Sequence, residues 1–185
     1  MLDRRPRRTR ASVRVLLIDE RDQILLFHDS DPGAPDVHWW ILPGGGIDAG
    51  EDERTTVVRE IGEETGLSLD PQLVRGPLAR RTVLHGYSDQ VTRQDDAFYL
   101  ARVPTFQIST AGHTELEKVT LLGHRWWSRV ELETTDETVW PVVLPELWDL
   151  AGSPQLWPVV LPEVEESSVP AGQDIGGDVR ATGRK

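Results

Sequence analysis

A chain of 185 residues, 38% hydrophobic and 28% charged, has room for one domain with a sizeable core. Its net charge of -11 argues against a nucleic-acid partner, because a polyphosphate backbone needs clustered Lys and Arg. The absence of cysteine excludes disulfides, thiolate-bound metals and thiol nucleophiles, and agrees with a cytoplasmic protein. No apolar run approaches the ~20 residues that span a bilayer, so no membrane partner is expected.

Along the chain, residues 1–10 carry five arginines without a following apolar stretch and read as a disordered basic arm. Ser12 to Asp19 and Gln23 to His28 are two apolar runs around a polar turn, which predicts a hairpin. Asp29 to Asp36, with Pro32, Gly33 and Pro35, reads as a loop, and His38 to Leu42 as a strand ending at Pro43 and three glycines. Glu51 to Thr65 has helical periodicity, with Gly66 where a C-cap belongs. Further strands are expected near Arg80–His85, Ala97–Val103 and Gly123–Ser128, then a helix from Pro141 to Leu150. Strands interleaved with two helices predict an α/β sandwich with a mixed sheet.

Residues 151–185 read as a partly duplicated segment and a disordered tail. Trp140–Glu146 and Trp157–Glu163 share the sequence Trp-Pro-Val-Val-Leu-Pro-Glu. Two copies are too few for a solenoid, and a local duplication is the preferred reading over a docking or dimer segment. On that reading, truncation after Gly152 should preserve activity. A homodimer is left open.

Chemistry concentrates on the predicted helix. At ~100° per residue, Glu64 lies ~40° to one side of Glu60 and Glu63 ~60° to the other. Glu53 falls on the same stripe, while Val57, Val58 and Ile61 form an adjoining apolar face. Such a face is either a solvated acidic surface or a site for a hard cation, since like charges at this spacing repel. Upstream, Gly44 to Gly46 supply a turn whose backbone can approach a ligand closely.

Gly45, five residues, Glu51, seven residues, then Arg59-Glu-Ile-Gly-Glu-Glu-Thr-Gly-Leu67 match the Nudix box at every fixed position. The chain therefore resembles the Nudix hydrolases over residues 11–150, with Trp40-Ile-Leu-Pro-Gly-Gly as a similar lead-in. The resemblance implies an α/β fold, a Nudix α/β/α sandwich with a central mixed sheet. It also implies water attack on a nucleoside diphosphate linked to another moiety, with Mg²⁺ or Mn²⁺ as cofactor. It assigns Glu60, Glu63 and Glu64 and the Gly44 carbonyl to the metal, and pairs Arg59 with Glu51. The base stays open between Glu63, which is preferred, and a later Glu115 or Glu117.

No subfamily signature for ADP-ribose, dinucleoside polyphosphates or NADH stands after the box. A nucleoside triphosphate or sugar nucleotide is left by elimination as the small-molecule substrate. Arg14, Trp40 and Arg81 are candidate substrate-binding residues: the arginines for phosphate, the indole for stacking. Gly62, inside the helix, should cost ~1 kcal/mol relative to Ala, and a close approach by another segment would explain it. Isopentenyl diphosphate isomerase, a related fold using Cys, is excluded by composition. A nucleotide-sensing Nudix module is the alternative, opposed by the intact box.

Overall fold

The computed structural model describes residues 3–172. β1 (Arg7–Ile18), β2 (Ile24–Asp31) and β3 (Ala34–Ile41) precede α1 (Glu53–Thr65). Two long strands, β4 (Arg75–Gly86) and β5 (Val91–Arg102), follow. Then come α2 (Glu117–Thr120), β6 (Gly123–Trp127), α3 (Arg129–Thr134), β7 (Val139–Trp140) and α4 (Leu144–Ala151). Two short strands, β8 (Val159–Val160) and β9 (Val164–Glu165), end the described chain.

Among the described residues these strands form one mixed sheet, ordered β7-β3-β2-β1-β5-β4-β8, with β6 on β2 and β9 on β4. β1 pairs with β5 in parallel over its whole length, from Arg7 opposite Val91 to Ile18 opposite Arg102. Ile24 and Phe27 of β2 both pair with β6, so β2's other edge is shared by β1 at Ile24 and β3 from Phe27 onward. β1 and β3 therefore diverge. The chain leaving β3 bridges the gap: Val15 N–H donates to the Pro43 carbonyl (2.9 Å) and Val13 N–H to that of Gly45 (3.0 Å). This lays the glycine turn alongside β1.

Side chains alternate across the sheet and build two cores. Val13, Val15, Leu17, Phe27, Trp39 and Ala97 pack beneath Val57 and Ile61 of α1. Leu16, Ile18, Leu26, Phe98 and Leu100 pack against Leu144, Leu147 and Trp148 of α4. A fully buried Leu such as Leu147 contributes roughly 1.5–3 kcal/mol. Helix, sheet and helix thus stack as the expected α/β/α sandwich.

Several boundaries differ from expectation. Arg7–Arg10 are not a disordered arm but the start of β1, because the open edge of β5 from Val91 to Gln94 offers their backbone partners. Residues 29–36 are mostly strand, turning only at Pro32 and Gly33. Pro35 is tolerated in β3, where the register with β2 slips between Ser30 and Asp31. The segment after Gly152 is ordered to residue 172: β8 and β9 add in parallel to β4, and Trp157 packs on the α4-side core. The end of the expected disordered tail, residues 173–185, lies outside the described residues.

Candidate active site

α1 is fixed at both ends. The Asp52 side chain accepts the Thr55 N–H at 2.9 Å, and Gly66, at φ 75°, donates its N–H to the Gly62 carbonyl at 2.9 Å. Glu53 is drawn off the acidic stripe, taking both Nη atoms of Arg80 (2.7 and 2.8 Å) and the Tyr99 hydroxyl (2.6 Å). A depression of about 440 Å³ opens there, lined in part by Glu53, Arg80 and Asp95 and by none of the carboxylates described next.

Farther along, Glu60 and Glu64 are 7% and 6% exposed and face the glycine turn. A Cβ on Gly45 would stand 2.4 Å from the Glu60 carboxylate, so glycine is required for that approach. Gly44, at φ 134°, donates its N–H to Glu64 Oε2 at 2.8 Å. Arg14 Nη1 donates to the Leu42 and Gly44 carbonyls, both at 3.2 Å, and attracts both glutamates. Burial pushes both carboxyls upward: Glu60 against the pull of Arg59 and, less, Arg14, and Glu64 well above its ordinary value against the Gly44 N–H and Arg14.

A third carboxylate joins them. Glu60, Glu64 and Glu117 each offer an oxygen within 4.8 Å of the others. Gly112 and His113 bring Glu117 there. The Gly112 position leaves only 2.4 Å between a notional Cβ and the Glu63 carbonyl, and His113 Nε2 lies 2.9 Å from the Glu64 carbonyl. Glu117 is held by the Thr114 N–H and hydroxyl at 2.7 and 2.8 Å. Three carboxylates, two of them buried, fit a hard cation that prefers oxygen ligands.

Arg59 braces the array. Its Nε and Nη2 fork onto Glu51 at 2.9 Å each, and Nη1 reaches Glu60 (2.8 Å) and Glu63 (3.1 Å). Nη2 also donates to the Gly46 carbonyl at 3.0 Å. The guanidinium holds the Glu51 carboxyl down to about 2.

The structure brings Glu51, Arg59, Glu60, Glu63, Glu64, Gly44, Arg14 and Glu117 together. Glu63, however, faces Arg59 and is not one of the three clustered carboxylates. Two substrate-binding expectations need correction. Trp40 packs in the α4-side core, stacked on His28 at 4.6 Å, with Nε1–H bonded to Glu137 at 2.7 Å; its neighbour Trp39 points to the α1 side, where it is equally buried in the core. Arg81 is buried, its fork filled by Glu166 and its Nε 3.4 Å from Asp96. Gly62 has only the Leu67 carbonyl near a notional Cβ, at 3.8 Å, so no close approach explains it. Sequence reasoning missed the bracing role of Gly112 and His113, and also Asp29. Burial raises the Asp29 carboxyl to about 6, with Arg14 among its electrostatic neighbours. No spacing marks these residues.

The NUDIX domain family model matches residues 8–146. An RNA pyrophosphohydrolase of Ruthia magnifica is 26% identical over 132 residues, 66% of this chain and 71% of that protein. The uncharacterized Nudix hydrolase YvcI of Bacillus subtilis is 42% identical over 53 residues, 28% of this chain and 30% of its own length. The chain thus aligns with less than a third of YvcI. The crystal structure of a mutator MutT protein from Bacillus halodurans superposes with a TM-score of 0.56 at 17% identity, covering 89% and 93% of the two chains. The fold is that of an α/β protein with a curled mixed sheet. The chain belongs to the NUDIX domain family.

Proposed function

We propose that the protein is a Nudix-type pyrophosphohydrolase that cleaves a phosphoanhydride bond of a nucleoside diphosphate linked to a further group. The observation that carries this reading is the cluster of Glu60 and Glu64, both buried, with the half-buried Glu117 beside the glycine turn. These three would hold Mg²⁺ or Mn²⁺, and the Gly44 carbonyl, which among the described residues accepts only from Arg14, keeps a lone pair that could add a ligand. The bound ion would neutralise phosphate charge and acidify a water.

The chain's own groups do the rest. Arg14 presents positive charge where the diphosphate meets the cluster. Arg59 keeps Glu60 and Glu63 from springing apart under mutual repulsion. Glu63, half in solvent, accepts the proton of the attacking water; the water oxygen bonds to phosphorus and the bridging P–O bond breaks. Nucleoside triphosphates and sugar nucleotides are the substrate types of this reading, reached by elimination of the other subfamily signatures, whereas the Ruthia magnifica relative is named for pyrophosphate hydrolysis on RNA. The site works in the cytoplasm on small molecules.

The test is phosphate or pyrophosphate release from nucleoside triphosphates, sugar nucleotides, ADP-ribose, NADH and dinucleoside polyphosphates, in Mg²⁺ or Mn²⁺ against EDTA. Glu64→Gln should lower kcat at least about a hundredfold, since even outer partners of a metal site cost 10–100-fold. Circular dichroism should show its fold unchanged. Near-full turnover by that variant in saturating Mg²⁺ would sink the assignment.

A further inference from the structure

β8 and β9 lie beyond the family match, which ends at residue 146, and the proposed chemistry does not use them. Yet they lead into Glu166, which is 2% exposed. Its carboxylate takes both Nη atoms of Arg81 at 2.8 and 2.7 Å and the Val142 N–H at 2.8 Å. Its N–H donates to the Leu84 carbonyl at 3.0 Å, and its carbonyl lies 2.6 Å from His85 Nδ1.

From there a buried hydrogen-bonded path runs across the sheet. Arg81 Nε meets Asp96 Oδ2 at 3.4 Å, and Asp96 Oδ1 accepts from Gln94 Nε2 at 2.7 Å and from the Ser12 hydroxyl. Gln94 Oε1 in turn accepts Nε of Arg10. Arg81, Asp96, Gln94 and Ser12 are all buried, whereas Arg10 reaches water. Its Nη atoms bond to none of the described residues.

Arg10 stands on the same face of β1 as Arg14, ~13 Å away along the strand at ~3.3 Å per residue. Partial burial and the repulsion of Arg14 weigh against its charge, while Tyr87, Asp96 and, more weakly, Glu60 of the carboxylate cluster attract it. A guanidinium fixed at Nε on an exposed residue, with no described partner on its Nη atoms, is a fork for phosphate or carboxylate. Fixing it beforehand lowers the ordering cost of binding.

We infer that Arg10 receives an anionic group of the substrate beyond the bond cleaved, and that Glu166 is the positioning residue that holds it through Arg81, Asp96 and Gln94. This rests on the hydrolase reading for its kinetic test but not for its binding test. For the nucleoside triphosphate turned over fastest, Arg10→Gln and Glu166→Gln should each raise KM about tenfold with kcat held. The double variant should be no worse than either single one. Multiplying effects, or a Glu166→Gln protein that melts earlier at unchanged KM, would overturn the path. If Glu166→Gln does not fold, Gln94→Met cuts the same path beside Arg10 and carries the same expectation.

Binding of inorganic triphosphate in EDTA, followed by calorimetry, separates the two readings. Weaker binding by Arg10→Gln alongside a wild type that turns over nothing would fell the hydrolase reading and leave this one standing. Equal affinity of wild type and Arg10→Gln would overturn it.

Discussion

Gly45 and Gly62 belong to one motif but are glycine for different reasons. At Gly45 any side chain would collide with the Glu60 carboxylate. Gly45→Ala should therefore weaken Mn²⁺ binding at least about tenfold, read by calorimetry, with helix content retained. Unchanged affinity would mean that Glu60 relaxes without leaving its ligand position. At Gly62 a Cβ would meet only the Leu67 carbonyl, at an ordinary contact distance of 3.8 Å, and Gly62→Ala should stabilise the fold by about 1 kcal/mol in urea denaturation. His85 is a third case: burial holds its imidazole down to about 4 from an ordinary 6.5. Below pH 6.5 the unfolded chain gains a proton that the folded chain refuses until about pH 4, so stability falls as pH drops through that window. The loss is roughly 3 kcal/mol at full extent. His85→Gln should flatten the difference in unfolding free energy between pH 7 and pH 4.5; an unchanged slope would assign the acid limb to other groups.

At the scale of elements, α1 and its glycine turn were legible because short-range spacing encodes them. The Glu60–Glu64 face, the Gly66 cap and the Arg59–Glu51 fork all lie within about twenty residues of one another, whereas the Asp52 cap emerged only with the structure. α2 was not legible. Four residues long and without a side-chain cap, it owes its place to Gly112 and His113 resting on the end of α1, a contact spanning 49 positions for His113 and Glu64. Glu115 and Glu117 were therefore equal in sequence, and only packing chose between them. Glu115 instead faces Lys118 at 2.6 Å. Glu117→Gln should accordingly depress metal affinity and kcat about tenfold or more. Glu115→Gln should alter neither; equal effects of the two in Mn²⁺ titration would remove α2 from the site. The arginine-rich start failed as a disorder signal for a related reason: a β5 edge eighty positions away supplies its partners.

For the molecule as a whole, the two copies of Trp-Pro-Val-Val-Leu-Pro-Glu end up at opposite margins of one sheet, β7 beside β3 and β8 beside β4. The same letters start a helix at Leu144 in the first copy and form strand β8 at Val159–Val160 in the second, so the surroundings decide their conformation. The expectation that the chain could end harmlessly at Gly152 is reversed by this arrangement. Removing Glu166 leaves Arg81 buried without its main partner, a loss on the order of 3–5 kcal/mol. It also bares the β4 edge to pairing with other chains. The shortened protein should melt earlier and aggregate on size-exclusion chromatography; a monomer with an unchanged melting temperature would contradict this.

The same segment carries the backbone back to where it began. Arg5 donates to the carbonyls of Val169 (3.0 Å) and Pro170 (2.8 Å), and the Gly172 N–H reaches Asp3 at 3.0 Å. Residues 3 and 172 are close enough for a short Gly-Ser linker to join them, and the ring could then be reopened at the exposed turn of Pro32 and Gly33. Such a circular permutant would keep every contact of the carboxylate cluster while moving both ends of the polypeptide to the far tip of the β2–β3 hairpin.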